Sequence, residues 1–302
     1  MDKIFYNEAS AAKLGWEPEW FGANDFDEDL IKKIRAFQKD IGTTVDGLCG
    51  PNTFRRIWTH REQKLSSYSP AVLQNQPKTN HIIYNNDFFP IDWPRVVLHF
   101  NHGGLVHTKG FKKVMKKRKP TMFVTHWDVC LSSESCFKVL TRRGLSIHFT
   151  IDNDGTIRQH LDMNHIASHA GSKVNAKSIG VEVSSAYYTR YQNWYVKNGF
   201  GERPVVEGAK VHGSTLKPFL GFYPVQEEAL KALMKAVHEC TGIPLKTPLD
   251  KSGETSYNVS RMAAAARFNG FVSHYHITKR KIDCANVDMK KFMDEIEESK
   301  SG

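Results

Sequence analysis

The segment Arg143-Gly-Leu-Ser-Ile-His-Phe-Thr-Ile-Asp-Asn-Asp-Gly-Thr-Ile-Arg-Gln159 predicts a β-hairpin at the centre of the fold. Apolar and polar residues alternate on both sides of Asp154-Gly155, a dipeptide typical of tight turns. Further apolar runs lie outward from this hairpin, at residues 122–128, 178–183 and 270–274. They have the length and composition of buried β-strands.

Helical patterns alternate with these predicted strands. Ser132 or Ser133 can cap a helix that extends to Arg142, and residues 226–241 form the clearest amphipathic helix. The first helix is expected to bury Cys136, Val139 and Leu140, and the second Ala229, Leu230, Leu233, Met234 and Val237. Strands alternating with helices indicate an α/β domain with a mixed central sheet flanked by helices.

Two of the predicted strands end in a histidine. His126 closes the run 122–128, and His274 follows the run from Gly270, with Asp283 and Cys284 shortly after it. Imidazole nitrogens together with a carboxylate or a thiolate form catalytic zinc sites that keep one position open for water. The residues therefore predict a metal site containing both histidines and either the acid or the thiol.

The strand 178–183 carries a charged residue in an otherwise buried setting. Side chains alternate between the two faces of a strand, so Gly180 and Glu182 share one face. Ile179, Val181 and Val183 share the other face. A buried carboxylate needs a functional or structural reason, and the small Gly180 leaves room for a ligand beside it.

Five motifs occur in a defined order between residues 120 and 295: THWD, RGLSIHFTIDNDGTI, HAG, SIGVE and SHYHITKRKID. This series resembles the zinc-dependent N-acetylmuramoyl-L-alanine amidases of the type-2 class, which share a fold with peptidoglycan recognition proteins. The resemblance extends to phage-encoded lytic enzymes. It implies hydrolysis of the amide bond between N-acetylmuramic acid and L-alanine, and therefore lysis of the cell wall.

The resemblance also implies a role for each site residue. Glu182 is the expected general base and Lys281 the expected partner of the oxyanion. Zn²⁺ is expected on His126, His274 and Asp283, because R-K-x-D of the family aligns on residues 280–283. Cys284 is the alternative third ligand, since the Pro-Gly that usually follows in the family is missing. The substrate is expected near His169, Asn175, His148 and Trp194.

Other histidines and one substitution bear on this assignment. His276 shares a strand face with His274 but stands where the family commonly has Asp, and His99 with His102 could imitate a ligand strand. Some family members place a helper tyrosine where this chain has Ile147. The aromatic segment 187–224, which contains Trp194, is interpreted either as a wall of the substrate groove or as plain loop packing.

Residues 27–58 predict a compact helical module. Asp27 can cap a helix that buries Leu30 and Ile34, and Pro51 suits the first turn of a second helix. The order I-x-x-FQ-x-x-x-G, then V-DG-x-x-GP-x-T, is similar to the peptidoglycan-binding module of wall hydrolases. We therefore expect an all-α module at 1–62, a linker at 63–90 and the catalytic domain at 91–302, with independent cores.

Composition and net charge indicate which classes of binding partner to expect. The 302 residues include 42 Lys and Arg against 32 Asp and Glu, a net charge of +10 that favours anionic partners such as wall polymers. No nucleic-acid-binding motif accompanies the basic run 109–119, which is interpreted as the solvated face of a short helix. We expect peptidoglycan as partner, no nucleic acid and a monomer.

The sequence also predicts where the protein is made and where it acts. No apolar run is long enough to span a membrane, and the first residues lack the apolar core of a signal peptide. We expect synthesis in the cytoplasm and action on the cell wall or periplasm after release. The five cysteines are too few for a disulfide framework. The family resemblance nevertheless suggests a Cys130–Cys136 disulfide in an oxidising space, with two reduced thiols expected in cytoplasm.

Two alternative functions remain open. One is a recognition module that binds muropeptides without cleaving them, and the other is an amidase that recycles muropeptides. The presence of all candidate ligands together with Glu182 and Lys281 favours catalysis, and the N-terminal module favours polymeric peptidoglycan as substrate.

Overall fold

The computed structural model describes residues 2–64, 80–101 and 103–299. Most of the predicted linker (65–79) and His102 lie outside the described residues. The helices are α1 (Lys3–Leu14), α2 (Glu28–Asp40), α3 (Pro51–Glu62), α4 (Ser133–Arg142), α5 (Ser172–Asn175), α6 (Gln192–Lys197), α7 (Pro224–Thr241), α8 (Arg261–Ala264) and α9 (Met289–Glu298).

Fourteen strands accompany these helices in the described residues. They are β1 (His81–Tyr84), β2 (Asp87–Pro90), β3 (Val96–Leu98), β4 (Phe111–Lys112), β5 (Met122–Trp127), β6 (Phe149–Ile151), β7 (Ile157–Gln159), β8 (Ile166–Ala167), β9 (Ser178–Val183), β10 (Val205–Val206), β11 (Lys210–Val211), β12 (Ser214–Thr215), β13 (Phe219–Leu220) and β14 (Gly270–Ser273). Short 3₁₀ turns occur at Pro18–Phe21, Thr189–Tyr191 and His274–His276.

Six strands form the central mixed sheet in the order β14-β5-β9-β6-β7-β3. The first four are mutually parallel, β7 is antiparallel to β6, and β3 is parallel to β7. The carboxyl ends of β14, β5 and β9 therefore meet at one edge of the sheet. The predicted α/β fold with a mixed central sheet is confirmed.

The predicted hairpin consists of β6 and β7. The Asp152 N–H donates to the Thr156 carbonyl at 2.9 Å, and Gly155 has φ +80°, a conformation that favours glycine. On one face of the sheet, Ile179, Val181 and Val183 of β9 join the main apolar core with α7 and α9. This confirms the predicted alternation along β9.

The N-terminal helices pack on the catalytic domain. A single apolar cluster contains Leu30, Ile34 and Phe54 from the first part of the chain and Val139 and Leu140 from α4. Hydrogen bonds cross the same boundary: Trp58 Nε1 donates to Ser135 Oγ at 3.1 Å, and Thr59 Oγ1 donates to the Val129 carbonyl at 3.0 Å. The expectation of two independent cores is therefore corrected, because the apolar face of α4 is covered by the helical module. The domain boundaries themselves stay a prediction.

Two local elements differ from the sequence-based expectation. The basic run 109–119 is not helical; it contains the short strand β4, which pairs with β8, and near its end Arg118 Nε donates to the Met163 carbonyl at 2.9 Å. Helix α1 was not predicted, because its buried face is partly polar. Its Asn7 and Ser10 bind the backbone of Cys49 instead of packing on apolar side chains.

Among the described residues, no helix combines the length and apolar composition that crossing a bilayer requires.

Candidate metal centre and active site

Three buried side chains converge at the carboxyl ends of β5 and β14. Nδ1 of His126 lies 2.8 Å from Nδ1 of His274, and Oδ2 of Asp283 lies 3.3 Å and 3.1 Å from these two nitrogens. Within the described residues, these three form the only group of at least three His, Cys, Asp or Glu side chains close enough to hold one ion.

Strand pairing explains why residues so distant in sequence meet. In the parallel pair of β14 and β5, Ser273 is aligned with Thr125, so the next residues of both strands, His274 and His126, are neighbours. The chain then turns back, and the Tyr275 N–H donates to the Asp283 carbonyl at 3.1 Å. This backbone bond sets the carboxylate beside the two imidazoles.

The donor set fits a metal ion. The triangle of donor atoms is small enough for one ion to lie about 2 Å from all three, the usual distance for zinc bound by nitrogen or oxygen. Burial lowers the pKa of His126 to about 3, so its imidazole is neutral and has a lone pair to donate. Burial raises the pKa of Asp283, but the neighbouring His274 and His126 lower it more, to well below its usual range. The acid is thus an ionised carboxylate.

His169 supports the metal-facing ring of His126 from behind. Its Nδ1 lies 2.9 Å from Nε2 of His126, and its Nε2 lies 3.1 Å from Ser178 Oγ. Gly180 makes this contact possible, because a Cβ at that position would lie 2.6 Å from two atoms of the His169 ring. The space beside Gly180, expected for a ligand, is filled by His169.

Glu182 and Lys281 lie next to this centre. Glu182 is aligned with His126 across β9 and β5, so both side chains project from the same face of the sheet. The Glu182 Oε2 atom is buried without a hydrogen-bond partner among the described residues. Burial, and then the negative charges of Asp128 and Asp283, raise the pKa of Glu182 well above its usual value. Burial lowers the pKa of Lys281, and the charge of Asp283 opposes that change.

Residues 116–286, more than half of the chain, match the family model for N-acetylmuramoyl-L-alanine amidases. The chain belongs to this amidase family. Similar solved structures include the endolysin amidase LysCS from Clostridium intestinale, with 16% identity, a TM-score of 0.40 and coverage of 68% of this chain and 96% of that chain. They also include the catalytic domain of XlyA (14%, 0.37, 67% and 99%) and Drosophila PGRP-LB (16%, 0.34, 67% and 92%). No protein of curated function matches the chain.

The remaining residues predicted near the substrate of this amidase have defined places. His148 is fully buried; its Nδ1 accepts from the Gly180 N–H at 3.1 Å, and its Nε2 donates to the His165 carbonyl at 3.0 Å. Asn175 Oδ1 accepts from the Ala170 N–H at 2.7 Å and so holds the loop that carries His169. These contacts position the backbone around the metal centre.

The aromatic excursion contributes a separate packing unit. Trp194 packs on Tyr195 and Phe200, with ring centroids 5.1 and 6.1 Å apart. These rings belong to one apolar cluster with Tyr191 and Tyr223. The position of Trp194 agrees with the packing interpretation of residues 187–224, and its role toward the substrate of the amidase stays a prediction.

The alternative ligands of the amidase lie elsewhere. Cys284 is fully buried in the main apolar core. His276 is engaged through both ring nitrogens, with the Ser256 carbonyl at 2.6 Å and the Ser273 N–H at 3.0 Å. His99 follows β3, at the far edge of the sheet from β14. None of the three joins the group of His126, His274 and Asp283.

Other polar residues around the centre escaped the sequence analysis. Asp128 accepts hydrogen bonds from the Cys130 and Ser185 N–H groups at 2.8 and 3.0 Å, and burial raises its pKa to about 7. It ties the segment after β5 to the segment after β9. The motif THWD contained this aspartate, but no spacing rule indicated its partners. Cys130 and Cys136 are buried free thiols in side-chain contact with each other.

Proposed function

We propose that this chain is a zinc-dependent amidase that cleaves the bond between N-acetylmuramic acid and L-alanine in polymeric peptidoglycan. The observation that carries the proposal is the convergence of one oxygen and two nitrogen donors from His126, His274 and Asp283 at 2.8–3.3 Å. Two imidazoles and one carboxylate are the protein ligands of many zinc hydrolases.

Glu182 and Lys281 would have different roles in cleavage of the amide. When bound, zinc would supply Lewis acidity, which polarises the carbonyl and acidifies water. Glu182 accepts the proton of the attacking water and returns it to the leaving amine. Its Oε2, which has no hydrogen-bond partner in the described part of the chain, and its raised pKa suit this carboxylate to take a proton. Lys281 places positive charge at the carbonyl oxygen as negative charge develops there.

The substrate assignment has separate support. The family match includes Glu182 and Lys281, and the helical pattern at 27–58 is similar to peptidoglycan-binding modules. An N-terminal module that binds wall raises the local concentration of the catalytic domain at the polymer. We propose that the enzyme acts on the cell wall after release, as a lytic enzyme.

Product analysis tests this function. Purified wall digested with the metal-loaded full chain should release free L-alanine amino termini and peptide-free glycan strands, without new reducing sugar ends. Activity should be lost on chelation and return with zinc. Binding of muropeptides without release of amino termini would instead establish the non-catalytic recognition function. Cleavage of small muropeptides but not of polymer would establish the recycling function.

A further inference from the structure

A cavity of about 290 Å³ lies at the carboxyl ends of β3 and β7. His99 and His160 directly follow these two strands, and the cavity wall includes His99, Phe100, His107, Phe111 and His160. In the sheet, β7 is three strands away from β5, which corresponds to about 14 Å at the usual strand spacing. The cavity is therefore separate from the metal centre.

Most of the cavity wall comes from a part of the chain outside the family match. Eight of the twelve residues that line the cavity precede Lys116, at which the match to the amidase family begins. They belong to the hairpin of β1 and β2 and to the segment that follows β3, up to β4. The cavity is thus a feature of this additional segment.

Two aromatic rings at the cavity are exposed. Phe88 of β2 is 57% exposed and Phe100, which follows β3, is 59% exposed, with ring centroids 6.2 Å apart. Exposed apolar side chains beside a cavity are typical of a binding site. The negative π face of an aromatic ring attracts polarised C–H groups, and a sugar ring presents such groups on its face. The pair therefore suits a saccharide.

His107 contributes a polar group to the cavity wall. This side chain is 2% exposed, and its Nε2 accepts from the Ile147 N–H at 3.3 Å, so Nδ1 of the neutral ring carries the proton. Among the described residues, that Nδ1 has no hydrogen-bond partner. Burial lowers the pKa of His107 to about 4, so the ring is uncharged at neutral pH. A neutral donor suits a hydroxyl or amide oxygen. In the described ranges, no three side chains of this cavity are close enough to hold one metal ion.

The basic run passes beside this cavity. Phe111 stacks on His165 with ring centroids 5.7 Å apart, and the Val114 N–H donates to Nδ1 of the same histidine at 3.4 Å. Lys112 and Lys113 lie between these two contacts and are exposed. Within the part of the chain that the structure describes, no lysine of the run forms an ion pair. A surface of unpaired positive charge attracts an anionic ligand.

We propose that this cavity binds a sugar ring of a peptide-free glycan strand, with the carboxylates of the strand beside the basic run. For the identity of the strand, this inference rests on the proposed amidase function. Hydrolysis adds water across the C–N bond, so the peptide leaves with a free amine and the N-acetylmuramic acid keeps a free lactyl carboxylate. The strand gains negative charge at each cleavage, and the enzyme stays on the polymer that it has cleaved.

Calorimetric titration of the metal-loaded full chain with two tetrasaccharides tests this site. The anionic probe alternates N-acetylglucosamine with peptide-free N-acetylmuramic acid, and the neutral probe is the N-acetylglucosamine tetramer. At low salt the anionic probe should bind about 10-fold more tightly, and the difference should shrink as salt rises. Phe100→Ala should raise the Kd of both probes about 5-fold, because it removes a ring that contacts the sugar.

The lysines and two control variants complete the titrations. Replacing Lys112 and Lys113 together by Gln should raise the Kd of the anionic probe alone. Leu249→Ala removes a side chain that is 49% exposed outside the cavity, and Lys251→Gln removes an exposed charge there. Neither control should change either Kd. If Phe100→Ala lowers the melting temperature, Phe88→Ala provides the same test.

The outcomes separate this inference from the proposed function. An unchanged Kd of the anionic probe in Phe100→Ala, or equal affinities of the two probes for the wild-type protein, overturns the glycan site even if the enzyme digests wall. Binding that depends on Phe100 in a protein that releases no L-alanine amino termini supports the site and overturns the amidase function. Phosphatidylglycerol vesicles that bind through Phe100, without binding of either tetrasaccharide, would assign this surface to a membrane instead.

Discussion

The two ring nitrogens of His126 have different partners. Nδ1 faces His274 and Asp283, whereas Nε2 faces His169. A hydrogen-bond partner on the ring nitrogen that faces away from the metal fixes the tautomer and the orientation of a ligand imidazole. His169 therefore holds the ring of the candidate ligand His126 in place, and Gly180 is the residue that gives His169 space.

Replacing the third ligand distinguishes the acid from the thiol. Asp283→Ala should reduce bound zinc to background and abolish wall digestion, because only two protein ligands remain. Cys284→Ser should retain stoichiometric zinc, since this sulfur lies in the apolar core. Metal content of the two purified variants, measured by elemental analysis, decides between them. Loss of zinc in the serine variant alone would reverse the assignment.

Substitutions of Glu182 and Lys281 should lower turnover without loss of the metal. Glu182→Gln should keep zinc and lower kcat by about 10²–10⁴-fold, because an amide does not accept the proton of water. Lys281→Met should also keep zinc and lower kcat by about 10²–10³-fold. Initial rates on a soluble muropeptide give these values. A nearly normal rate in either variant would assign that side chain a structural role.

A double-mutant cycle tests the contact between Gly180 and His169. Gly180→Ala should destabilise the protein by about 1–3 kcal/mol, because the new methyl group overlaps the imidazole. In a His169→Ala background the same change should cost much less, since the ring is gone. Thermal denaturation of the four proteins measures the coupling. Equal costs in both backgrounds would show that the overlap is relieved elsewhere.

At the scale of elements, the sequence patterns were sufficient to predict β5, β6, β7, β9 and β14 but not how they pair. Alternation identified β6, β7 and β9, and strand-end histidines indicated the candidate ligands His126 and His274. Which of Asp283 and Cys284 faces the centre depends on the turn after β14, fixed by the Tyr275–Asp283 backbone bond, which has no sequence signature. The contact of His169 with His126 was missed for a similar reason, because it depends on the packing of His169 against Gly180 of β9, the neighbour of β5 in the sheet.

Composition gave a wrong prediction of a helix where long-range hydrogen bonds determine the local structure. Apart from Gly110, the basic run 109–119 contains no Gly or Pro, so its composition resembles that of a helix. In the structure, Arg118 forms hydrogen bonds with Asn164 and Met163 that connect the run to a neighbouring segment. The Arg118 N–H donates to Asn164 Oδ1 at 2.8 Å. Side-chain bonds of this kind compete with helix formation. The hydrogen bond from Arg55 to the Asp128 carbonyl was equally invisible, because no pattern predicts how two modules dock.

At the scale of the whole molecule, the cluster shared by the helical module and α4 ties folding of the two parts together. Deleting residues 1–62 would expose Val139, Leu140, Cys136 and Ile147 to water. The truncated protein should melt at a lower temperature than the full chain and aggregate on heating, because exposing apolar side chains costs about 25 cal/mol per Å². Differential scanning calorimetry of both proteins measures the effect. An unchanged melting temperature would restore the expectation of independent cores.

The docking surface between α3 and α4 also limits how this enzyme can be recombined. Here a foreign domain in place of residues 1–62 would leave the apolar side of α4 without its cover and remove the hydrogen bond from Arg55 to the Asp128 carbonyl. A new specificity domain should instead be fused upstream of Asp2, an exposed residue that caps α1, so that the helices packed on α4 are kept.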